Sequence, residues 1–322
     1  MLDVKVKSDT IWVGEHFSVD FQRTLRIPDD GIVYPLPPGL SRFPVRRVDD
    51  YLDRVPPAWR EHGGVFIPMY QREALWLCFG GSYWKPHAVK IAIGKINVVT
   101  GRGWAQPLEE SPQDYLVCPD QPWLDGINAG EGMIRQFVAM PLGQGYTVEG
   151  QLTGAEKHGG IQLIAFAPKP GRFPDEPPRV ETCDYLVCES AAAPSMGLAA
   201  GGKMTQKIYA DEYGLDTWDQ ENYGRVFIHI VDSMVFREIT GEEPPPTPVT
   251  AKTYAQYHLP WFSLYDELKQ DLPPSGILKG VKSVKQVDVE KGHQPQQDDS
   301  SVPVDNIVKL GKKPNTVRDG EW

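Results

Sequence analysis

The stretch Asp114-Tyr115-Leu116-Val117-Cys118 recurs unchanged as Asp184-Tyr185-Leu186-Val187-Cys188, 70 residues further along the chain (184 minus 114). Each copy sets apolar residues suited to a strand between a proline-containing segment and a glycine-rich segment. An identical pentapeptide can also arise by chance in a chain of 322 residues. The flanking residues therefore decide whether the two copies belong to a duplicated unit.

The flanks of the two copies align over most of a unit. Upstream, Ile91 falls on Ile161 without a gap, and downstream a single one-residue gap places 126–130 on 197–201. A period of about 70 residues exceeds the 20–50 residues of common solenoid repeats, so each copy has room for several strands. The pattern favours an internal duplication and a pseudo-symmetric domain. Convergence of ordinary strand and turn sequences is the alternative.

The bulk composition narrows the fold class and the kinds of partner. The 30 prolines and 31 glycines are spread along the chain, which argues against a helix bundle and predicts a mainly β or α+β fold with short helices. The net charge of −10 argues against nucleic-acid binding, which needs a basic face. No apolar run approaches the ~20 residues that span a bilayer, and no signal peptide is evident, so we expect a cytoplasmic protein without membrane partners.

Proline clusters, the repeat and the final polar stretch divide the chain into five parts. Residues 271–322 are predicted to form an extended or disordered C-terminal arm, because they are polar and contain no Phe, Tyr or Trp before Trp322. The parts are an N-terminal β-rich segment packed on the core (1–84), repeat copy 1 (85–153), repeat copy 2 (154–223), a closing strand and helix (224–270, with the helix expected from Trp261 to Leu268) and the arm.

The glycine-rich loops of the two copies, predicted at 123–132 and 194–204, are candidate ligand sites. The second contains Gly197, Gly201, Gly202 and Lys203, which come close to the phosphate-binding P-loop pattern. Met204 stands where that pattern needs a hydroxyl, and no strand leads directly into the loop. A glycine-rich turn that shapes the fold is the favoured interpretation, and a looser anion site at Lys203 is the alternative.

Trp123, Asp125 and Asn128 form a second set of candidates in the first of these loops. An aromatic face beside polar acceptors suits the binding of a sugar or another small ligand, because the ring stacks while the acceptors fix the orientation. A buried Trp that anchors a turn explains the same grouping and is the favoured interpretation, since Trp is highly buried on average.

The segment from Asp211 to Glu221 is strongly acidic around Trp218. Clustered oxygen ligands suit calcium, but the spacing matches no EF-hand loop, so a solvated acidic turn is favoured over a metal site. The seven histidines show no metal-ligand spacing, and no nucleophile elbow occurs in the chain. The sequence therefore predicts no catalytic residue and no metal site, and it leaves the cofactor undefined.

Several stretches resemble a family of uncharacterised bacterial proteins found in actinobacteria and other groups. They are 23–31 (RTLRIPDDG), 68–76 (PMYQREALW), 134–143 (IRQFVAMPLG) and 317–320 (VRDG). The resemblance covers most of the chain and carries no activity, cofactor or site residue with it.

The sequence favours a non-enzymatic binding or self-assembly protein, β-rich and oligomeric through the C-terminal arm that ends in Trp322. One alternative is an enzyme or sensor that binds a small anion at the loops 123–132 and 194–204. The second alternative is lectin-like binding of a sugar through Trp123 and its neighbours.

Overall fold

The computed structural model describes residues 1–176, 196–264, 269–294 and 296–310. Over these residues it confirms a mainly β fold with five short helices. The strands are β1 Val4–Lys7, β2 Thr10–Val13, β3 Phe17–Thr24, β4 Val33–Tyr34, β5 Gly39–Arg42, β6 Arg46–Arg47, β7 Val65–Met69, β8 Ala74–Gly81, β9 His87–Ile93, β10 Ile96–Asn97, β11 Leu116–Cys118, β12 Trp123–Leu124, β13 Gly126–Gly130, β14 Met133–Pro141, β15 Ile161–Pro168, β16 Met196–Thr205, β17 Trp218–Asp232, β18 Trp261–Leu264 and β19 Ile307–Leu310. The helices are α1 Pro57–His62, α2 Val148–Thr153, α3 Ser233–Thr240, α4 Ala251–Gln256 and α5 Val284–Glu290, with 3₁₀ turns at Val48–Tyr51, Leu215–Thr217, Leu278–Gly280 and Gln297–Asp299. None of the described helices has the length and apolar character that crossing a membrane requires.

Seventeen of the strands belong to one largely antiparallel sheet. One run of neighbours is β3, β8, β14 and β16, and another is β9, β15 and β17. The two runs meet where Met196 of β16 pairs with Ile230 of β17. Two parallel pairs, β16 with β4 and β17 with β7, extend the runs, and β18 and β19 form a separate parallel pair. The N-terminal segment thus shares a sheet with the rest of the chain.

The inward faces of these strands bury a large apolar core. Its members include Phe17 and Phe21 of β3, Leu75 of β8 and Phe137 of β14, all fully buried. Burial of apolar surface stabilises the fold by about 25 cal/mol per Å². This is the main force that holds together strands that lie far apart in the sequence. A rigid sheet of this size can hold side chains at its margins in fixed positions.

The first copy of the repeated pentapeptide forms β11, which pairs antiparallel with β9. The second copy, 184–188, lies outside the described residues. Where the flanks can be compared, Ile93 pairs with Ile161 and Ile91 pairs with Leu163, the reciprocal register that a two-fold axis between the copies would give. Downstream the copies differ, because 126–130 is the short strand of a hairpin while 197–201 lies inside the ten-residue β16. The internal duplication stays a prediction.

The prediction of glycine-rich loops was wrong for most of both segments. Trp123–Leu124 and Gly126–Gly130 are strands, and so is Met196–Thr205. A Cβ on Gly202 would come within 2.4 Å of the Pro28 carbonyl oxygen, and one on Gly126 within 1.9 Å of the Arg135 carbonyl oxygen. These glycines therefore allow close approach of neighbouring backbone within a sheet, a use of glycine that resembles a loop signal in sequence.

The prediction of a helix from Trp261 to Leu268 was also wrong where it can be compared. Residues Trp261–Leu264 form β18, and 265–268 lie outside the described residues. Phe262 and Leu36 exchange two backbone hydrogen bonds of 2.9 Å, and these hold the segment extended. Pairing with a distant strand outweighs the local pattern because each paired group avoids an unsatisfied backbone donor or acceptor.

The described part of the C-terminal arm packs on the body of the protein. Helix α5 buries Val284 and Val287 in a small apolar cluster with residues of β14 and β16. Asp288 accepts a hydrogen bond from Arg72 at 2.6 Å, and Asp299 accepts one from Arg26 at 2.7 Å. The arm is thus held in place at least as far as these contacts, and Trp322 lies outside the described residues.

Candidate ligand pocket

Two of the predicted site residues lie at the short strand β12. Trp123 is its first residue, and Asp125 follows its last residue. Strand β12 pairs antiparallel with β8, so that Trp123 stands opposite Cys78. Asp125 follows β12 directly, and its backbone N–H donates to the Gln206 side chain at 2.9 Å. This pairing fixes both side chains at the margin of the large sheet.

Trp123 and Asp125 line a cavity of about 260 Å³, here called the aromatic pocket. The other lining residues are Leu36, Pro37, Pro38, Gly39, Trp76, Phe262 and Leu310. The rings of Trp76 and Trp123 meet edge to face, with centroids 6.4 Å apart and planes at 70°. Asp125 is the one ionisable side chain among these residues, so the pocket combines apolar walls with a single carboxyl group.

Burial raises the pKa of the Asp125 carboxyl to about 7. Hydrogen bonds from the Gln206 amide, at 2.9 Å, and from the Trp123 side chain act in the opposite direction and only partly offset the burial. A carboxyl group with a strongly raised pKa in a cleft is a recognised mark of a functional site.

Asn128, the third member of the predicted group, does not line the aromatic pocket. Its side-chain amide donates to the carbonyl oxygens of Val99, at 3.2 Å, and Pro273, at 3.0 Å. Its side-chain oxygen accepts from the Gly130 N–H at 2.9 Å. These three hydrogen bonds use most of the hydrogen-bonding capacity of an amide side chain, so Asn128 has a structural role.

Lys203 lines a different and more open cavity of about 550 Å³, here called the basic cleft. The other lining residues are Asp29, Asp30, Gly31, Arg135, Lys282, Lys285, Gln286, Val289 and Glu290. Lys203 on β16 stands directly opposite Arg135 on β14, and like charges in that position repel each other. Neither forms an ion pair within the described part of the chain. This end of the basic cleft is where an anion would be favoured.

Several acidic groups in the basic cleft weaken that preference. Asp29 accepts a hydrogen bond from Ser283, Asp30 accepts one from Tyr34, and Glu290 pairs with Lys282 at 2.7 Å. Burial lowers the pKa of Arg135, whose guanidinium donates to the Val281 carbonyl oxygen at 2.6 Å. The predicted glycines Gly197, Gly201 and Gly202 are not among the lining residues. The P-loop arrangement is therefore absent from the described strand, because its glycines serve sheet packing.

The acidic segment from Asp211 to Glu221 makes contacts within the protein. Asp211 accepts hydrogen bonds from the Tyr115 hydroxyl at 2.7 Å and the Trp218 indole at 2.8 Å. Asp216 pairs with Lys169 and Arg172 at the surface. Across the residues that the structure describes, no group of three or more His, Cys, Asp or Glu side chains is arranged to hold a metal ion.

Sequence reasoning missed Trp76 and Phe262 as walls of the aromatic pocket and Arg135 as the neighbour of Lys203. Trp76 belongs to β8, whose alternating burial points every second residue away from the core. The sequence of β8 does not show this alternation, because residues 74–79 are all apolar. The pairings that bring β8, β12 and β18 to one place join residues far apart in sequence, and no local pattern reports them.

Comparison with protein-family models, with curated proteins and with solved structures gives no match for this chain. This result is consistent with a resemblance that brings no activity with it. The function must therefore be argued from the residues themselves.

Proposed function

We propose that the protein is a non-enzymatic binding protein and that the aromatic pocket is its ligand site. The observation that carries this proposal is that Asp125, a residue only 3 % exposed, lines a cavity whose other described walls are aromatic and apolar. Ligand pockets are mostly apolar with few polar groups that fix orientation. The single carboxyl group can hold a ligand but lacks a second ionisable group among the lining residues with which to share proton transfer.

The size of the aromatic pocket limits the ligand. Its 260 Å³ lies just below the roughly 300–1,000 Å³ of ordinary ligand pockets. Trp76, Trp123 and Phe262 are each partly exposed. A small ligand with an apolar surface and one group complementary to a carboxyl fits these features.

The proposal is tested by a thermal-shift screen of small molecules, with native mass spectrometry of the purified protein. Compounds that stabilise the wild type should lose that effect in Trp123→Ala. Trp12→Ala, which removes a partly buried Trp from β2, is the matched control and should keep it. A screen without any stabilising compound, or stabilisation that survives in Trp123→Ala, contradicts the proposal.

Self-assembly is the second candidate function, and β19 is the feature that favours it. All four residues of β19 are exposed, with Ile307 at 50 %, Val308 at 41 % and Leu310 at 40 %. Its only strand partner in the described structure is β18. An exposed apolar edge strand is a template for pairing with another chain, and here we expect a second copy.

Light scattering on wild type and Val308→Lys tests the assembly. A charge on an edge strand opposes strand addition, so we expect the wild type to form an oligomer and the variant to dissociate. Val289→Lys is the matched control, because Val289 is 60 % exposed on α5. A monomeric wild type, or a variant that keeps the wild-type mass, contradicts self-assembly through β19.

A further inference from the structure

Asp125 differs from the other buried carboxyl groups in what surrounds it. Seven Asp or Glu side chains of the described residues are buried: Asp20, Glu73, Asp114, Asp125, Glu149, Asp288 and Asp299. Five of them lie within 4 Å of a cationic side chain, as Glu73 does at 2.6 Å from Arg23. Glu149 instead accepts from the backbone N–H groups of 157, 158 and 159. Asp125 has neither arrangement within the described structure.

An isolated carboxylate of this kind costs stability, because removing an ionised group from water is unfavourable unless an opposite charge or several donors replace the water. The Gln206 amide and the Trp123 indole are neutral donors and replace the water only in part. A positive charge placed in the aromatic pocket would supply what is lacking.

The aromatic walls favour the same kind of ligand. A cation over the face of a Trp ring is attracted by the ring's quadrupole, and aromatic cages bind quaternary or methylated ammonium groups in this way. Trp76 and Trp123 stand nearly perpendicular, 70° apart, so they present two walls of a corner. Pro37, Pro38 and Leu36 add apolar surface for methyl groups.

Other ligand classes fit the lining less well. A sugar needs several polar partners for its hydroxyl groups, and a primary ammonium needs up to three acceptors. Asp125 is the one side chain among the described lining residues that can accept a hydrogen bond. A quaternary ammonium carries no N–H, so it needs no hydrogen bond, only an apolar surface and a negative charge.

We propose that the aromatic pocket binds a small organic cation bearing a methylated ammonium group, held by Trp76 and Trp123 and neutralised by Asp125. This inference rests on the proposed function, since it names the ligand class of the same pocket. The ligand is then the partner of the Asp125 charge, whereas the partners of the other buried acids are arginine, lysine or backbone N–H groups.

The charged and titratable groups near Asp125 give the binding a defined pH dependence. Cys78 on β8 faces this region, and burial together with the charge of Asp20 raises the pKa of its thiol to about 12, so it stays neutral. Asp20 is paired with Arg42 at 3.3 Å. Because burial raises the pKa of Asp125 to about 7, affinity for a cation should rise with pH up to about that value and level off above it.

The test compares choline with 3,3-dimethylbutan-1-ol, an alcohol of the same shape without the charge. Each gives a nine-proton methyl signal, so ligand-observed NMR can titrate both against the full chain. At pH 8 we expect choline to bind about tenfold more tightly than the alcohol, as an electrostatic gain of about 1.4 kcal/mol implies. At pH 5 the difference should shrink, because Asp125 is then protonated and only the attraction of the Trp rings for the cation remains.

Two variants and a control complete the test. At pH 8 Asp125→Asn should prefer choline no more than the wild type does at pH 5, and Trp123→Ala should lose both ligands, while Trp12→Ala behaves as wild type. If the alcohol binds the wild type as tightly as choline, the cation inference is overturned and the pocket remains a ligand site. If choline binding is absent, or is unchanged in Asp125→Asn, the inference is also overturned. The thermal-shift screen with Trp123→Ala then decides separately whether the pocket binds any ligand.

Discussion

The aromatic pocket and the basic cleft differ in how many charged side chains line them. The aromatic pocket holds one ionisable group, Asp125, among apolar walls. The basic cleft has about twice the volume and is lined by seven charged residues of both signs. The Asp125 charge has only neutral donors around it, whereas most charged groups in the basic cleft have a hydrogen-bond or ion-pair partner. The sparse site therefore says more about a ligand than the dense one.

The largest expected effect comes from removing the lone charge. The pKa of Asp125 is raised to about 7 in the folded protein, while the unfolded group ionises near pH 4. Between these values the folded protein retains a proton that the unfolded chain has lost, so ionisation destabilises the fold progressively as the pH rises from about 4 to 7. Asp125→Asn cannot ionise. We expect its free energy of unfolding to exceed that of wild type by on the order of 2–4 kcal/mol at pH 8 and to match it near pH 4, measured by urea denaturation.

Glu149→Gln is the matched control for that experiment. Its carboxylate is buried but accepts backbone hydrogen bonds from three successive residues. Removing this charge should destabilise the protein by about 1–3 kcal/mol, since it weakens bonds to buried donors. Stabilisation by both variants, or by neither, would remove the distinction between Asp125 and the other buried acids.

A second prediction separates sheet packing from anion binding at the edge of the basic cleft. Gly202→Ala should lower the free energy of unfolding by about 1–3 kcal/mol, because the new Cβ would meet the Pro28 carbonyl oxygen at 2.4 Å. Gly103→Ala is the control, since a Cβ there meets nothing within 4 Å. Thermal unfolding measures both. Unchanged stability of Gly202→Ala would return the glycine to a ligand-binding explanation.

The smallest effect is expected at Lys203. Lys203→Ala removes its repulsion with Arg135, so we expect stabilisation by about 0.2–1 kcal/mol at low salt, shrinking as salt is added. Lys252→Ala, an exposed lysine on α4, should show no such change. If Lys203→Ala is instead destabilised, the lysine has a stabilising partner, and the basic cleft becomes the stronger candidate for a ligand.

The sequence predicted the fold class and singled out Trp123 and Asp125, which line the aromatic pocket. Both results depend on local features of the chain. Proline and glycine content indicates many short strands, and Trp123 beside Asp125 is a local pattern. The error at 197–202 arose because glycine marks both a flexible loop and a close approach between strands. Trp76 and Phe262 were missed because their positions depend on pairings between distant strands. The raised pKa of Asp125 depends on its burial, and burial can be known only once the whole fold is known.

The most direct test is the titration of the Asp125 carboxyl carbon by NMR, with and without a saturating methylated ammonium ligand such as choline. We expect a pKa near 7 for Asp125 in the free protein, and a fall of at least about one pKa unit when the cation binds, since a nearby positive charge favours the carboxylate. A pKa near 4 in the free protein, or one that the ligand leaves unchanged, would contradict the proposal that Asp125 is the partner of a bound cation.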